Sequence, residues 1–541
     1  MALALLAGAL GATPVTADGV EPAPGGIQCV GDPPRQTADP LSPPCVPFFE
    51  GDNGCETYPL GVTCNELRIV VYLDGGIGYA SASDPSNAFT PQAAVYDLWK
   101  TPAENAEANG DPATTSEHLT VKGLRTWQDY FAQRFQTYGR APHVFVAFSD
   151  ADGWTPEARR RDAATVLDYI EPFAALNFAT EDSAGEFTTA LARKGVVNFA
   201  GPRPFSSSAL QAFPRLIWSF APSVEQIVAN YGDYVCTKVV NGVPVLAGDD
   251  IQQRSQLLDG GRRKLGLLRP GDPDWPGLIR LGELVHQRVE GCGGEIAATA
   301  AFPDCCLAQD NGEVPEYALA QMTDFKLKGV TTILWAGGVN GNYGKAAALL
   351  GYEPEWIVAG DGFLDSNRAV TLSQSTAAFD GRAIVVTPEV VEGGLEDRWC
   401  AQAFREIDTE TASADLAYVC EFYRDLHQLF VGVQVAGPFL SPTTLTQGFR
   451  AVPTRGPGEP DAPACFYPAG DFSCVKDAQA EIWDATGIAP GASTPGCWRA
   501  IEGGRRYMTG TRPWPEGNID AELAGDEPCN GYSRSIRFNL T

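Results

Sequence analysis

The sequence predicts an α/β protein of two lobes, each built on a parallel sheet. Three observations predict it. From Leu67 onward, short apolar β-branched runs alternate with helical stretches, the pattern of parallel strands joined by crossover helices. The alternation runs to Phe220 and starts afresh at Lys264. The length of 541 residues exceeds what one hydrophobic core serves.

The elements follow in order. Residues 1–17 carry the apolar run MALALLAGALGA and a small-residue cleavage pattern at Val15-Thr16-Ala17, without a basic start, and read as a possible signal remnant. Residues 18–62, rich in Pro, Gly and Cys and without periodicity, read as a stapled leader. The first lobe is placed at 63–221. Its strands are LRIVVYL (67–73), HVFVAF (143–148), FAALNF (173–178), GVVNF (195–199) and LIWSF (216–220). Helices are predicted over 123–139 and 155–170. The second is opened by Thr155 as N-cap, with Pro156 at the first helical position.

The second lobe is placed at 222–362, with strands at 264–270, 295–302, 331–337 and 355–360 and a helix over 276–291. Residues 363–453, with AIVVTP (383–388) and helices over 397–407 and 412–434, read as a return to the first lobe through hinge crossings. The Pro-Gly-rich stretch 454–465 marks a boundary, and 454–541 reads as a compact Cys-rich C-terminal extension. The fold class is therefore two Rossmann-like lobes joined by a hinge, with a disulfide-stapled leader and extension.

A net charge of −28 excludes nucleic acid or an anionic membrane as an electrostatic partner. No segment reaches the roughly 18 unbroken apolar residues of a membrane span. The fourteen cysteines include no C-x-x-C, and only four histidines accompany them. Zinc spacing is absent, and disulfides in an oxidising compartment are expected. The cysteines fall into even groups: Cys29, Cys45, Cys55 and Cys64; Cys236, Cys292, Cys305 and Cys306; Cys400 and Cys420; Cys465, Cys474, Cys497 and Cys529. A bond between neighbours Cys305 and Cys306 would be strained, so Cys236 and Cys292 are the expected partners of those two.

The stretch TTILWAGGVNGNYGKAAALLGY (331–352) has a strand, glycines, a Gly-Lys pair and a helix. A phosphate loop needs Gly-x-x-x-x-Gly-Lys-Ser/Thr. Here Val339 replaces the first glycine and Ala346 the hydroxyl. A loop at the carboxyl end of a parallel strand faces a ligand crevice instead. The sequence Asp150-Ala-Asp152-Gly153 lacks the length and the terminal Glu of a calcium loop and reads as a turn. No metal or cofactor is expected.

The layout resembles the type 1 periplasmic binding proteins, the leucine/isoleucine/valine-binding class of ABC-transporter solute receptors. The resemblance is carried by GVTCNELRIVVYLDGG (61–76), FAALNFATEDSAGEFTTALARKGVVNFAG (173–201), KLGLLRPGDPDWPGLI (264–279), TTILWAGG (331–338), WIVAGDGF (356–363) and VGVQVAGPFLSPTTLTQGF (431–449). It covers about 61–450 and rests on the order of many weak motifs. It implies two lobes that close on a small ligand and a membrane permease as partner. It also implies a monomer that is secreted or extracytoplasmic, or held at the cell surface. Carried over residue by residue, it places ligand contacts at Gly75, Gly76, Tyr79, Thr180, Ser183, Pro202, Arg203 and Ser206 in the first lobe. In the second it places an aromatic cap at Trp275, loop contacts at Asn340 and Tyr343, and an amine-holding acid at Asp361. The implied ligand is an amino acid, an amide or a small acid.

Two other functions fit a two-lobed chain. A serine hydrolase would carry Gly-x-Ser-x-Gly at a strand-helix turn, and none occurs. His143 precedes a strand and His286 sits mid-helix, which suits structural roles, so no enzyme is expected. A receptor or surface interaction module on the same fold is the main alternative. The stapled leader and extension favour it.

Overall fold

The computed structural model describes residues 29–531 apart from 31–33, 48, 76–93, 110–117, 150–154, 180–184, 201–203, 274, 304, 306–312, 375, 392, 455, 457–459, 461, 491 and 520–528. The described strands are β1 (Glu66–Leu73), β2 (Val95–Asp97), β3 (Ala141–Phe148), β4 (Ala174–Asn177), β5 (Val197–Ala200), β6 (Ile217–Ser219), β7 (Leu265–Pro270), β8 (Ile296–Phe302), β9 (Thr332–Trp335), β10 (Glu355–Ala359), β11 (Ala383–Thr387), β12 (Gln479–Asp484) and β13 (Cys497–Ala500). They form two sheets, ordered β2-β3-β1-β4-β5-β6 and β13-β12-β11-β10-β9-β7-β8. In the first sheet only the β2–β3 pairing is antiparallel. In the second, β7 to β11 are parallel and β12 and β13 antiparallel.

The predicted strands formed because their apolar runs are buried on both faces, as parallel strands between helical layers must be. Leu67 and Ile69 to Leu73 are all buried. The helix at Pro156–Tyr169 starts where the cap signal places it, with the Thr155 hydroxyl accepting the Ala158 N–H at 3.2 Å. The expected helix over 412–434 is divided into Leu416–Cys420 and Tyr423–Ala436. A bond from Cys400 to Cys420 ties the first piece to the helix Trp399–Arg405.

Three expectations need correction. The return to the first lobe begins later than Phe363, because β11 pairs in parallel with β10 inside the second sheet. The C-terminal extension is not an appendage. Its strand β12 pairs with β11 and its strand β13 with β12. Trp483 and Trp498 enter the second-lobe core, exposed by 1% and 0%. The physical reason is that β11 would otherwise be an open, wholly apolar sheet edge. Cys236 bonds Cys292 rather than Cys305 or Cys306, since both ends sit on adjoining helices. Cys305 is itself disulfide-bonded, and Cys306 lies outside the described residues. The remaining described pairs, Cys29–Cys45, Cys55–Cys64, Cys465–Cys474 and Cys497–Cys529, stay within the expected groups.

The chain passes between the lobes along three segments. The first runs from Ser219, at the end of β6, to the second-lobe helix Val224–Tyr234. The second follows β11 and leads to the helix Trp399–Arg405, which packs in the first-lobe core. The third runs beside the first. Cys474 and Val475 donate backbone N–H groups to Ser219 and Phe220 carbonyls at 2.9 and 3.1 Å before the chain enters β12.

Candidate functional site

A cavity of about 420 Å³ lies between the lobes where these three segments run, within the roughly 300–1,000 Å³ typical of ligand pockets. Phe220 to Pro222, Pro388 to Val391 and Val475 come from the three passages. The second-lobe wall comes from the carboxyl ends of β10 and β11, where open parallel sheets bind ligands. It carries Asp361, Asp365, Ser366, Asn367 and Glu389. The first-lobe wall carries Arg398, Trp399, Tyr423 and Arg424 from the helical segment after the second passage. Asn530 and Gly531 of the extension close the second-lobe side.

Asp361 is held by the glycine loop that follows β9. Gly338 donates its backbone N–H to Asp361 Oδ2 at 2.6 Å. Gly337 and Gly338 both take left-handed φ, 84° and 67°. A Cβ on Gly337 would fall 2.8 Å from Asp361 Oδ2. Only glycine lets this backbone approach so closely.

The wall is electrostatically divided. Burial, reinforced by the charge of Asp361, pushes the Asp365 carboxyl up to about 7. Burial also pushes Glu481 on β12 up to about 8, with Asp365 and Glu389 adding to it. Across the cavity, Arg424 reaches Asp39 of the leader at 3.0 Å. Asp39 is wholly buried, which works against its charge, yet Arg424, His427 and the Leu41 N–H hold its carboxyl below the usual range. The leader thus positions a cation of the first-lobe wall.

Of the ligand contacts proposed from sequence that lie among the described residues, Asp361 alone lines this cavity. Asn340 and Tyr343 lie behind it, buried in the second lobe. Asn340 Nδ2 donates to the Tyr317 hydroxyl at 3.1 Å, and the Tyr343 hydroxyl donates to Gln321 Oε1 at 2.6 Å. Trp275 meets Phe363 edge-on, ring centroids 6.1 Å apart. The Ser206 hydroxyl caps the helix Ser207–Ala212 by accepting the Ala209 N–H at 3.2 Å. Gly75 donates its N–H to Ser149 Oγ at 2.8 Å just past β1. Gly76, Tyr79, Thr180, Ser183, Pro202 and Arg203 lie outside the described residues.

Sequence reading missed Asp365, Glu389, Arg424, Glu481 and Asn530. Asp365 had a signal, a second acid four residues past Asp361 in the loop that follows β10. Glu481 has no such mark, since its strand Gln479–Asp484 reads QAEIWD and only its burial sets it apart. Arg424 and Asn530 carry no local mark, since only tertiary packing brings them here.

Two parallel-sheet lobes with three passages beside a shared cavity make up a two-lobed α/β fold. No family model and no curated protein sequence matches the chain. Solved structures do. The chain is similar to a leucine-, isoleucine-, valine-, threonine- and alanine-binding protein from Brucella ovis in its closed conformation. The TM-score is 0.51 and the identity 10%, over 84% of this chain and 98% of that one. It is also similar to an ABC-transporter solute-binding protein from R. palustris in complex with 4-hydroxybenzoate. Here the TM-score is 0.50 and the identity 10%, over 83% of this chain and 98% of that one. The chain has the type 1 periplasmic binding protein fold.

Proposed function

We propose that this protein is an extracytoplasmic solute receptor of an ABC transporter. It binds a small polar or amphipathic molecule, such as an amino acid, an amide or a small acid, by closure of the two lobes. It works without chemistry, as a monomer, and delivers its ligand to a membrane permease. The observation that carries this reading is the cavity bordered by both lobes and all three passages. A rotation about those passages changes the volume of that cavity more directly than that of any other place in the fold. Acids on one wall and guanidinium groups with aromatics on the other suit a ligand with both polar and apolar parts. The first-lobe loops holding Gly75, Gly76, Tyr79, Thr180, Ser183, Pro202, Arg203 and Ser206 are proposed to meet the ligand on closure. The proposed location agrees with the absence of free cysteines among the described residues and of any described helix long and apolar enough to cross a membrane.

A thermal-shift screen of amino acids, amides and small carboxylic acids should find one stabilising class. Small-angle scattering with that compound should show a decrease in the radius of gyration. Indifference to the whole panel, or binding without compaction, would count against the reading.

A further inference from the structure

The second passage is fastened to the C-terminal extension. Arg506 is fully buried and donates to the Pro388 and Glu389 carbonyls, both at 2.6 Å. The same guanidinium pairs at 3.0 Å with Asp477 of the third passage. Asn530 Nδ2 donates to the Val390 carbonyl at 3.2 Å, and the Val391 N–H donates to the Pro460 carbonyl at 2.9 Å. The third passage is bonded to the first at Ser219 and Phe220. One buried cation of the extension therefore joins the second passage to a band that already holds the other two. These ties stop at Val391, and Glu392 lies outside the described residues. Gly393 makes no hydrogen bond with a described residue, and the Gly394 carbonyl accepts the Asp397 N–H at 3.0 Å within the short turn Leu395–Asp397. A Cβ on Gly393 would meet nothing among the described residues nearer than Asp397, at 3.5 Å. Past this turn the helix Trp399–Arg405 is anchored in the first-lobe core by Ala401 and Phe404. The glycine pair is thus an unbraced stretch between two anchored bodies.

We propose that Arg506 and Asn530 are positioning residues of the hinge. They make the second passage part of the second lobe as far as Val391, so that the lobes turn by bending the chain at Gly393 and Gly394. The inference rests on the closure reading and says where closure bends this passage. A hinge is a few loop or element-terminal residues that absorb large backbone changes, and glycine absorbs them at the least steric cost. Without the brace the passage could bend before Glu389 and Val390, and both line the cavity. With it, those two stay on one wall with Asp361 and Asn367, while Arg398 and Trp399 turn with the other. The second-lobe wall is then preformed, and closure orders no further backbone there, a general source of affinity. The brace is durable because its carbonyls are buried. Leaving the Pro388 and Glu389 oxygens unpaired would cost more than their bonds contribute in net. The Cys497–Cys529 bond holds Asn530 in place directly beside it.

The test joins amide hydrogen exchange on the full oxidised chain to an interlobe distance measurement. In wild type, residues 389–391 should exchange at least about tenfold more slowly than 393–396, as bonded backbone does beside unbonded. Arg506→Lys keeps a charge for Asp477 but lacks the planar fork that reaches two carbonyls. It should speed exchange of 389–391 about tenfold, the size of one lost hydrogen bond, and leave Ala383–Thr387 unchanged. Asn530→Ala spares the buried ion pair and should act in the same direction. Gly394→Pro should fold, because Gly394 has φ −57° and its N–H has no hydrogen-bond partner among the described residues. Spin labels in place of the exposed Tyr169 and Leu327 put one probe on each lobe. Gly394→Pro should narrow the distance distribution between them towards the width of two labels within one lobe. Three results each overturn this inference and leave the closure reading standing. They are equal exchange of 389–391 and 393–396 in wild type, unchanged exchange of 389–391 in both brace variants, and a Gly394→Pro distribution as broad as that of wild type. A wild-type distribution no wider than that of two labels within one lobe overturns both.

Discussion

Replacing Glu481 by Gln should stabilise the protein, and increasingly so as pH rises. Glu481 is fully buried on β12, with one carboxyl oxygen satisfied by Asn530 and Gln479. Burial raises its folded-state pKa from 4.5 to about 8. A raised acid pKa means the folded chain keeps a proton that the unfolded chain gives up. The penalty begins near the unfolded pKa, grows with pH, and levels off above the folded pKa. At about 1.4 kcal/mol per pKa unit, wild type should lose roughly 4 kcal/mol relative to the Gln variant between pH 5 and pH 9. Glutamine keeps the carbonyl that Asn530 and Gln479 contact and removes the titration. The assay is chemical denaturation of both proteins across that pH range, followed by tryptophan fluorescence, because Trp483 and Trp498 report on this core. Parallel stability curves for the two proteins would refute the reasoning and place Glu481 as an ordinary carboxylate.

Further outcomes follow from other contacts. Arg263 and Glu355 form a fully buried pair at 2.6 Å, with Thr332 and the Leu246 N–H also on Glu355. Arg263→Ala should cost about 3–5 kcal/mol by stranding that charge, and a loss below 1 kcal/mol in urea melts would contradict the pairing. Trp498→Ala should cost about 3–5 kcal/mol, because the ring lies in the second-lobe core; an unchanged melting temperature would detach the extension from it. Peptide mapping without reduction should recover Cys236 linked to Cys292, and recovery of either on Cys305 would reverse that assignment. Asp39→Asn should lower stability near neutral pH, and the difference from wild type should vanish as pH falls through the folded Asp39 pKa, because the lowered pKa gives stability only above it. A difference between variant and wild type that stays constant from neutral pH into acid would exclude this.

The sequence by itself determined the parallel strands and their order of appearance, but not the antiparallel β2, β12 and β13. Runs such as Leu67–Leu73 and Ala383–Thr387 are too apolar for anything but a doubly covered sheet, and a cap such as Thr155-Pro156 acts within one helical turn. The resemblance carried by WIVAGDGF (356–363) also brought Asp361 forward. Tertiary structure alone decided which sheet takes β11 and the extension, since edge pairing depends on which strand is left uncovered. It likewise decided that Asn340 and Tyr343 support the wall from behind while Asp365, Arg424 and Asn530 line it. Those three are brought to one cavity by chain segments far apart in sequence, and no local pattern encodes a meeting set by packing of whole lobes.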